Sequence, residues 1–274
     1  MPELEINGVR LHYTDEGKGA ETVVFSHGLL WSGRMYDAQV AHFRERYRCI
    51  TFDFRGQGQS EVTETGYDMD TLAQDAALLI ERLSVAPCHF VGLSMGGFIG
   101  LRLGIRRPEL LRSLVILESA ADPEPWINGP KYRAMLMGAR VVGLGPFVPT
   151  VMKIMFGDAF LHSATHASMR SEMERRLLAN DLQGLTRATI GVIERNSVES
   201  ELGRIRTPTL VLSGEGDRAV VSARSRRTAA LIPGASFESL PRAGHTSTVE
   251  EPELVNTALD RFWKGLGRPA AVSG

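Results

Sequence analysis

Four short runs, ETVVFSHG, YRCITFDF, CHFVGLS and SLVILES, constrain this chain more than any other feature. Each is rich in Val, Ile or Phe and ends in small or polar residues. A strand with one wet face alternates apolar and polar positions, so uninterrupted runs fit parallel strands covered on both faces. Helical spacing lies between them: Leu72, Ala76, Leu79, Ile80 and Leu83 recur at i, i+4, i+7, i+8 and i+11. Strands alternating with helices imply a mainly parallel sheet flanked by helices. Upstream, LEI-NG-VRLHY sets Asn7-Gly8 between two apolar stretches, the signal of a type I′ hairpin.

The rhythm stops after Glu118. From about Ala121 to Arg204 the segments are helix-compatible, punctuated by Gly and Pro, and hold Met135, Met137, Met152, Met155, Met169 and Met173 of the chain's 10 methionines. Strand pattern resumes with TPTLVLSGEGD, then a helical SARSRRTAALI, a short strand near ASFESL and a last helix EPELVNTALDRFWKGL. An α/β core interrupted by a helical insertion accounts for this order. The tail GRPAAVSG is expected to be disordered.

The length of 274 residues allows one large domain with an insertion. A net charge of −1 carries no footprint of a nucleic-acid binder. No apolar run reaches membrane-spanning length, and MPELEINGVR lacks the apolar core of a signal peptide, so the expected location is the cytoplasm with no membrane partner. Cys49 and Cys88 sit in strand-like runs and read as buried free thiols, too few for a metal site. No metal or cofactor is expected.

Chemistry concentrates in FVGLSMGGFIG. Ser94 follows a predicted strand and opens a predicted helix that stops before Pro108. A serine at so sharp a turn is strained and exposes its hydroxyl, while Gly92 and Gly96 are small because neighbouring chain would strike a side chain there. The helix N-terminus adds free N–H groups and a positive dipole end, suited to developing negative charge. A serine hydroxyl is a weak nucleophile, so it needs a base within hydrogen-bond reach.

This elbow resembles that of the α/β-hydrolase superfamily, and three further motifs share the resemblance: HGLL (His27–Leu30) after a strand, DFRGQGQS (Asp53–Ser60) matching D-x-R-G-x-G-x-S, and the order of GLSMGG, GEGDRAV and RAGHTSTVEEPE. The resemblance implies an α/β-hydrolase fold, a mostly parallel eight-stranded sheet flanked by helices with a helical cap inserted after the sixth strand. The core would be residues 1–120 and 205–274, and the cap 121–204. It implies a catalytic Ser94, Asp217 and His245, with the backbone N–H groups of Leu29 and Met95 as the oxyanion hole. Glu118 is the rival acid, since some relatives carry theirs after the earlier strand. His27, Asp53 and Arg55 are expected to shape loops. Leu30, Trp31, Trp126 and Met135 are expected to line the substrate pocket, although the insertion's methionines also suit plain core packing. The family's strand order separates Cys49 from Cys88 by one strand, roughly 10 Å, beyond the ~7 Å reach of a disulfide.

Serine at position 94 departs from the aspartate of haloalkane dehalogenases and epoxide hydrolases and from the cysteine of dienelactone hydrolases. Leu29 replaces the tryptophan usual in cofactor-free haloperoxidases, and HGLLWSG lacks the Gly-Pro-Gly loop of meta-cleavage C–C hydrolases. GLSMGG, RMYDAQ and the D-x-R-G-x-G-x-S loop look most like esterases and lactonases of the 3-oxoadipate enol-lactonase type. The expected activity is hydrolysis of a small-molecule carboxylic ester or lactone through an acyl-enzyme. Two alternatives stay open: a C–C bond hydrolase, and a hydrolase-like receptor with slow or single turnover. Thioethers and aromatic rings in the insertion favour neutral, apolar substrates, unless Arg133, Arg140 or Arg187 points inward.

Overall fold

The structure, a computed structural model, describes residues 2–266, so the disorder expected of the tail from Gly267 lies outside the described residues. Eight strands form one sheet: β1 (Glu3–Ile6), β2 (Val9–Glu16), β3 (Thr22–Ser26), β4 (Arg48–Phe52), β5 (Cys88–Leu93), β6 (Leu111–Leu117), β7 (Thr209–Gly214) and β8 (Ser236–Leu240). Their spatial order is β1-β2-β4-β3-β5-β6-β7-β8. β2 runs antiparallel to both neighbours, and every pairing from β4 to β8 is parallel. Asn7 and Gly8 have φ of 50° and 70°, the left-handed pair that a type I′ turn requires.

Helix α1 (Asp37–Phe43) lies between β3 and β4, α2 (Met69–Arg82) between β4 and β5, and α3 (Met95–Arg106) between β5 and β6. The excursion from β6 to β7 carries α4 (Asn128–Val142), α5 (Val148–Met155), α6 (Asp158–His162), α7 (Ala167–Leu178) and α8 (Leu182–Ile193). It holds no strand among its residues, as its lack of apolar runs requires. α9 (Ser222–Leu231), α10 (Ser247–Glu250) and α11 (Pro252–Leu266) complete the described chain. None of the described helices is long and apolar enough to cross a membrane.

The central strands are buried along their whole length, which explains their unbroken apolar runs. Alternate side chains feed two cores. Val24, Ile50, Phe52, Cys88 and Phe90 join α2 and α3 on one face; Val23, Phe25, Cys49 and Val91 join α1 and α11 on the other. Phe25, Phe52 and Phe90 are fully buried, each worth about 1.5–3 kcal/mol. Cys49 and Cys88 therefore lie on opposite faces as well as on strands separated by β3, and both thiols are free. Burial pushes each thiol pKa up to about 12.

The helical insertion is tied to the sheet's C-terminal edge. Asn180 Nδ2 donates to Leu30 O at 2.9 Å, Gly157 N to Glu250 Oε2 at 2.8 Å, and Arg102 Nη2 to Asn196 O at 3.0 Å. Gly184 backs onto Gly56 so closely that a Cβ would overlap the Gly56 carbonyl.

Candidate active site

The chain leaves β5 and enters α3 through a single residue. Ser94 has φ 54° and ψ −113°, a conformation costing a non-glycine residue roughly 1–3 kcal/mol. Its backbone is held from both sides. Ser94 N donates to Leu117 O at 2.8 Å, and Ser94 O accepts from Phe98 N at 3.0 Å and Ser119 Oγ at 2.9 Å. A Cβ at Gly92 would overlap the Gly96 carbonyl, and one at Gly96 would overlap that of Ser26. Both glycines are steric necessities of the turn.

Ser94 Oγ lies 2.9 Å from His245 Nε2, and His245 Nδ1 lies 2.9 Å from Asp217 Oδ2. The other Asp217 oxygen accepts from Ala219 N at 2.8 Å and Val220 N at 2.9 Å. A carboxylate can only accept, so it fixes Nδ1 as the protonated nitrogen and turns the Nε2 lone pair toward the serine. All three side chains are buried. The three residues sit on separate loops at the C-terminal ends of β5, β7 and β8, where a parallel sheet gathers its loops.

Glu118 takes a different place. It directly follows β6 with φ 44° and is fully buried. It accepts from Gly214 N at 3.1 Å and Ser247 Oγ at 2.9 Å, two residues beyond His245, and touches no imidazole nitrogen. Burial first, then the nearby Asp217 charge, raises its pKa well above the ordinary carboxyl range. Glu250 is a second buried carboxyl that sequence reasoning missed. It accepts from Gly157 N, Gly244 N and Thr246 N at 2.8–2.9 Å, bracketing His245 and reaching into the insertion. Burial lifts its pKa to about 7 even against those three donors. No residue pattern in HTSTVEEPE distinguishes Glu250 from the exposed-looking glutamate beside it.

The loop after β3 supplies the opposite wall. His27 is fully buried, donates from Nδ1 to Gly28 O at 2.7 Å and accepts Phe54 N at Nε2 at 3.0 Å. Burial lowers its pKa, so it is a neutral brace. Leu30 N is taken by Gln57 Oε1 at 2.9 Å and Trp31 N by Gly28 O at 3.3 Å. Among the described residues the Leu29 N–H has no protein acceptor. Met95 is the first residue of α3, where an N–H has no intrahelical partner. Asp53 and Arg55 shape this region: Asp53 accepts from Gly33 N at 2.7 Å and Gln59 N at 2.9 Å, and Arg55 pairs with Asp75 through two bonds of 2.8 Å. Gln57, within the D-x-R-G-x-G-x-S loop, holds the loop after β3 through its bond to Leu30 N.

A cavity of about 140 Å³ opens at Ser94 and His245 and runs under the insertion. Leu30 and Met135 line it. Trp31 and Trp126 do not. Trp31 is buried in the core, edge-on to Phe156 at 5.8 Å, because Leu30 turns at φ 78° and sends the next side chain inward. Trp126 precedes α4 and is 86% exposed, on the outer side of the insertion. The methionines divide: Met135 and Met155 line the cavity, Met152 and Met173 are buried, and Met137 and Met169 are exposed. No lysine or arginine is among the described lining residues. Arg133 pairs with Glu194, Arg187 donates to Thr63 O, and Arg140 is exposed. Among the described residues no cluster of His, Cys, Asp or Glu is placed to hold a metal ion.

The model of the alpha/beta hydrolase family matches residues 23–258. The chain is 29% identical over 275 residues to the putative carbamate hydrolase RutD of Stutzerimonas stutzeri (strain A1501), covering 96% of this chain and 100% of that protein. It is 28% identical over 265 residues to 3-oxoadipate enol-lactonase 2 of Acinetobacter baylyi, covering 95% and 96%. The solved enol-lactonase from Burkholderia xenovorans LB400 superposes with a TM-score of 0.87 at 27% identity, covering 96% of this chain and 100% of that one.

Proposed function

Since the chain belongs to the alpha/beta hydrolase family, we propose that it cleaves carboxylic esters or lactones through an acyl-enzyme on Ser94. The unbroken hydrogen-bond chain from Ser94 Oγ through His245 to Asp217, at the mouth of an apolar cavity, carries this reading. Ser94 Oγ attacks the carbonyl carbon while His245 Nε2 takes its proton. The tetrahedral oxyanion faces the Leu29 and Met95 N–H groups, each worth roughly 3–4 kcal/mol of transition-state stabilisation. Asp217 holds the tautomer and balances the imidazolium charge. The intermediate collapses, His245 protonates the leaving alkoxide, and a water repeats the sequence to release the acid. In a lactone the leaving alkoxide stays tethered to the acyl chain. Residues 121–204 act as the cap that closes the site over Ser94.

The relatives named putative carbamate hydrolases favour one second reading, attack on a carbamate carbonyl by the same serine. A panel of esters, lactones and carbamates with matched alcohols separates the two. Steady turnover of an ester or lactone, with a fluorophosphonate labelling Ser94, supports the proposal. Ser94→Ala should lose labelling and at least about 10⁴-fold in kcat. Undiminished labelling of that variant would move the nucleophile elsewhere, and a single stoichiometric release would make the protein a receptor.

A further inference from the structure

Beyond Ser94 and His245 the cavity wall is mostly apolar, with Tyr132, Thr189 and Glu124 as its polar side chains. Glu124, between β6 and α4, is the one acidic or basic side chain among the described lining residues apart from His245. Its side chain is 7% exposed. Oε1 accepts from Asn128 Nδ2 at 2.7 Å and Oε2 from Arg195 Nη1 at 2.8 Å. Arg195, just past α8, is more deeply buried and stands behind the wall, absent from the lining. Its guanidinium carbon lies 4.1 Å from the ring centroid of Phe98, which lines the cavity close to Ser94. Nη1 also donates to Val192 O at 2.8 Å, while Nε and Nη2 have no partner among the described residues. Outward from the cavity the order is carboxylate first, guanidinium second.

Two buried ions lose hydration that their mutual attraction only partly restores, and an apolar pair of similar volume would suit this wall better for stability alone. The orientation of the pair gives it a use. A carboxylate at a low-dielectric surface repels a second carboxylate far more than it would in water. A neutral acyl group meets only the surrounding hydrocarbon. The phenol of Tyr132, another lining residue, has its pKa raised chiefly by burial, with the Glu124 charge raising it further and the Arg195 and Arg224 charges opposing.

We propose that Glu124 is a specificity-determining residue: its carboxylate, backed by Arg195, turns carboxylate-bearing esters and lactones away from the cavity and admits neutral, apolar acyl groups. The inference rests on the ester or lactone hydrolysis proposed above. Removing the cavity-facing carboxylate leaves the guanidinium behind it, so the discrimination has a sign that substitution can reverse.

The test compares kcat/KM for ethyl 5-methylhexanoate with that for its near-isosteric monoanion, ethyl hydrogen glutarate, by ethanol release. The wild type should favour the neutral ester at least about tenfold. Glu124→Gln keeps an oxygen for Arg195 and should raise the anion-to-neutral ratio at least about tenfold, chiefly through KM for the anion. Arg195→Gln, which leaves the carboxylate unbalanced, should lower the ratio. The ratio cancels differences in active fraction, so partial misfolding of either variant does not mask the result. Should Arg195→Gln fail to fold, the paired Glu124→Leu/Arg195→Leu replacement should place the ratio between wild type and Glu124→Gln. A ratio unchanged within twofold in Glu124→Gln, with good turnover of the neutral ester, overturns the role of Glu124 and leaves the proposed chemistry standing. No turnover of either ester by the wild type overturns both.

Discussion

The floor of the cavity and its roof are built on different principles. The floor is the C-terminal edge of the sheet, where backbone geometry dictates the residue: Ser94 at φ 54°, with Gly92 and Gly96 where any Cβ would strike a carbonyl. The roof is α4 to α8, helical backbone that leaves most positions free in residue type, close approaches such as Gly184 against Gly56 excepted. What decides a residue's part there is the direction its helix presents, and Met135 and Met137, two positions apart, face the cavity and the solvent. Floor positions should therefore fail steeply on substitution, and roof positions should grade from several-fold effects to none.

The steepest test on the floor after the nucleophile is Asp217→Asn. Asp217 receives two backbone N–H bonds on one oxygen and the imidazole on the other, so the amide must present its NH₂ to one of them. Either the loop distorts or the imidazole takes the tautomer that faces Ser94 with a proton. We expect kcat to fall by about 10³–10⁴-fold with little change in Tm. A loss below tenfold would show that floor geometry is more forgiving than this account requires.

The same contrast explains what could be read in advance. Uninterrupted apolar runs report burial on both faces, and each of the four became a central parallel strand. The elbow and the Asn7-Gly8 turn were legible because each backbone demand leaves a narrow choice of residue, whereas Asp217 and His245 were expected from the resemblance of their loops to family motifs. Trp31 and Trp126 were not. The first depends on a left-handed turn at Leu30, a residue type that gives no sign of φ 78°, and the second on which side of α4 faces outward. Glu250 and Gln57 act through bonds to backbone N–H groups, which no spacing of side-chain types records.

On the roof, Met135→Ala and Trp126→Ala measure the grade. Met135 lines the cavity, so its truncation should widen the acyl site and shift the preferred chain length upward, changing kcat/KM for short acyl esters several-fold. Trp126 is 86% exposed and should leave kcat/KM within twofold across the same series. A larger effect from Trp126 would mean that the insertion moves enough to bring its outer face to the substrate.

Glu118→Gln sharpens the comparison from the other side, because it tests whether a strained, fully buried floor residue must also be a proton-relay residue. Glu118 bonds to Gly214 N and Ser247 Oγ and leaves the imidazole to Asp217. Burial and the Asp217 charge favour its protonated form, and glutamine is the neutral isostere of that form, with an NH₂ able to donate to Ser247 Oγ. We expect kcat within threefold of wild type. The stability signature has a definite sign. In the unfolded chain the carboxyl ionises near the ordinary value of about 4.3, whereas the native protein keeps the proton to higher pH. The native state thus binds the extra proton, and this group's contribution is full below about pH 4.3 and declines as pH rises toward the native pKa, by up to about 1.4 kcal/mol per pH unit. Glutamine has no such proton, so the stability of Glu118→Gln relative to wild type should climb as pH rises from about 4.3 toward the raised native pKa. Urea denaturation at three pH values across that range reads the slope directly. A flat difference would mean that Glu118 is ionised in the native protein, and a fall in kcat comparable to that of Asp217→Asn would give it a share in the relay.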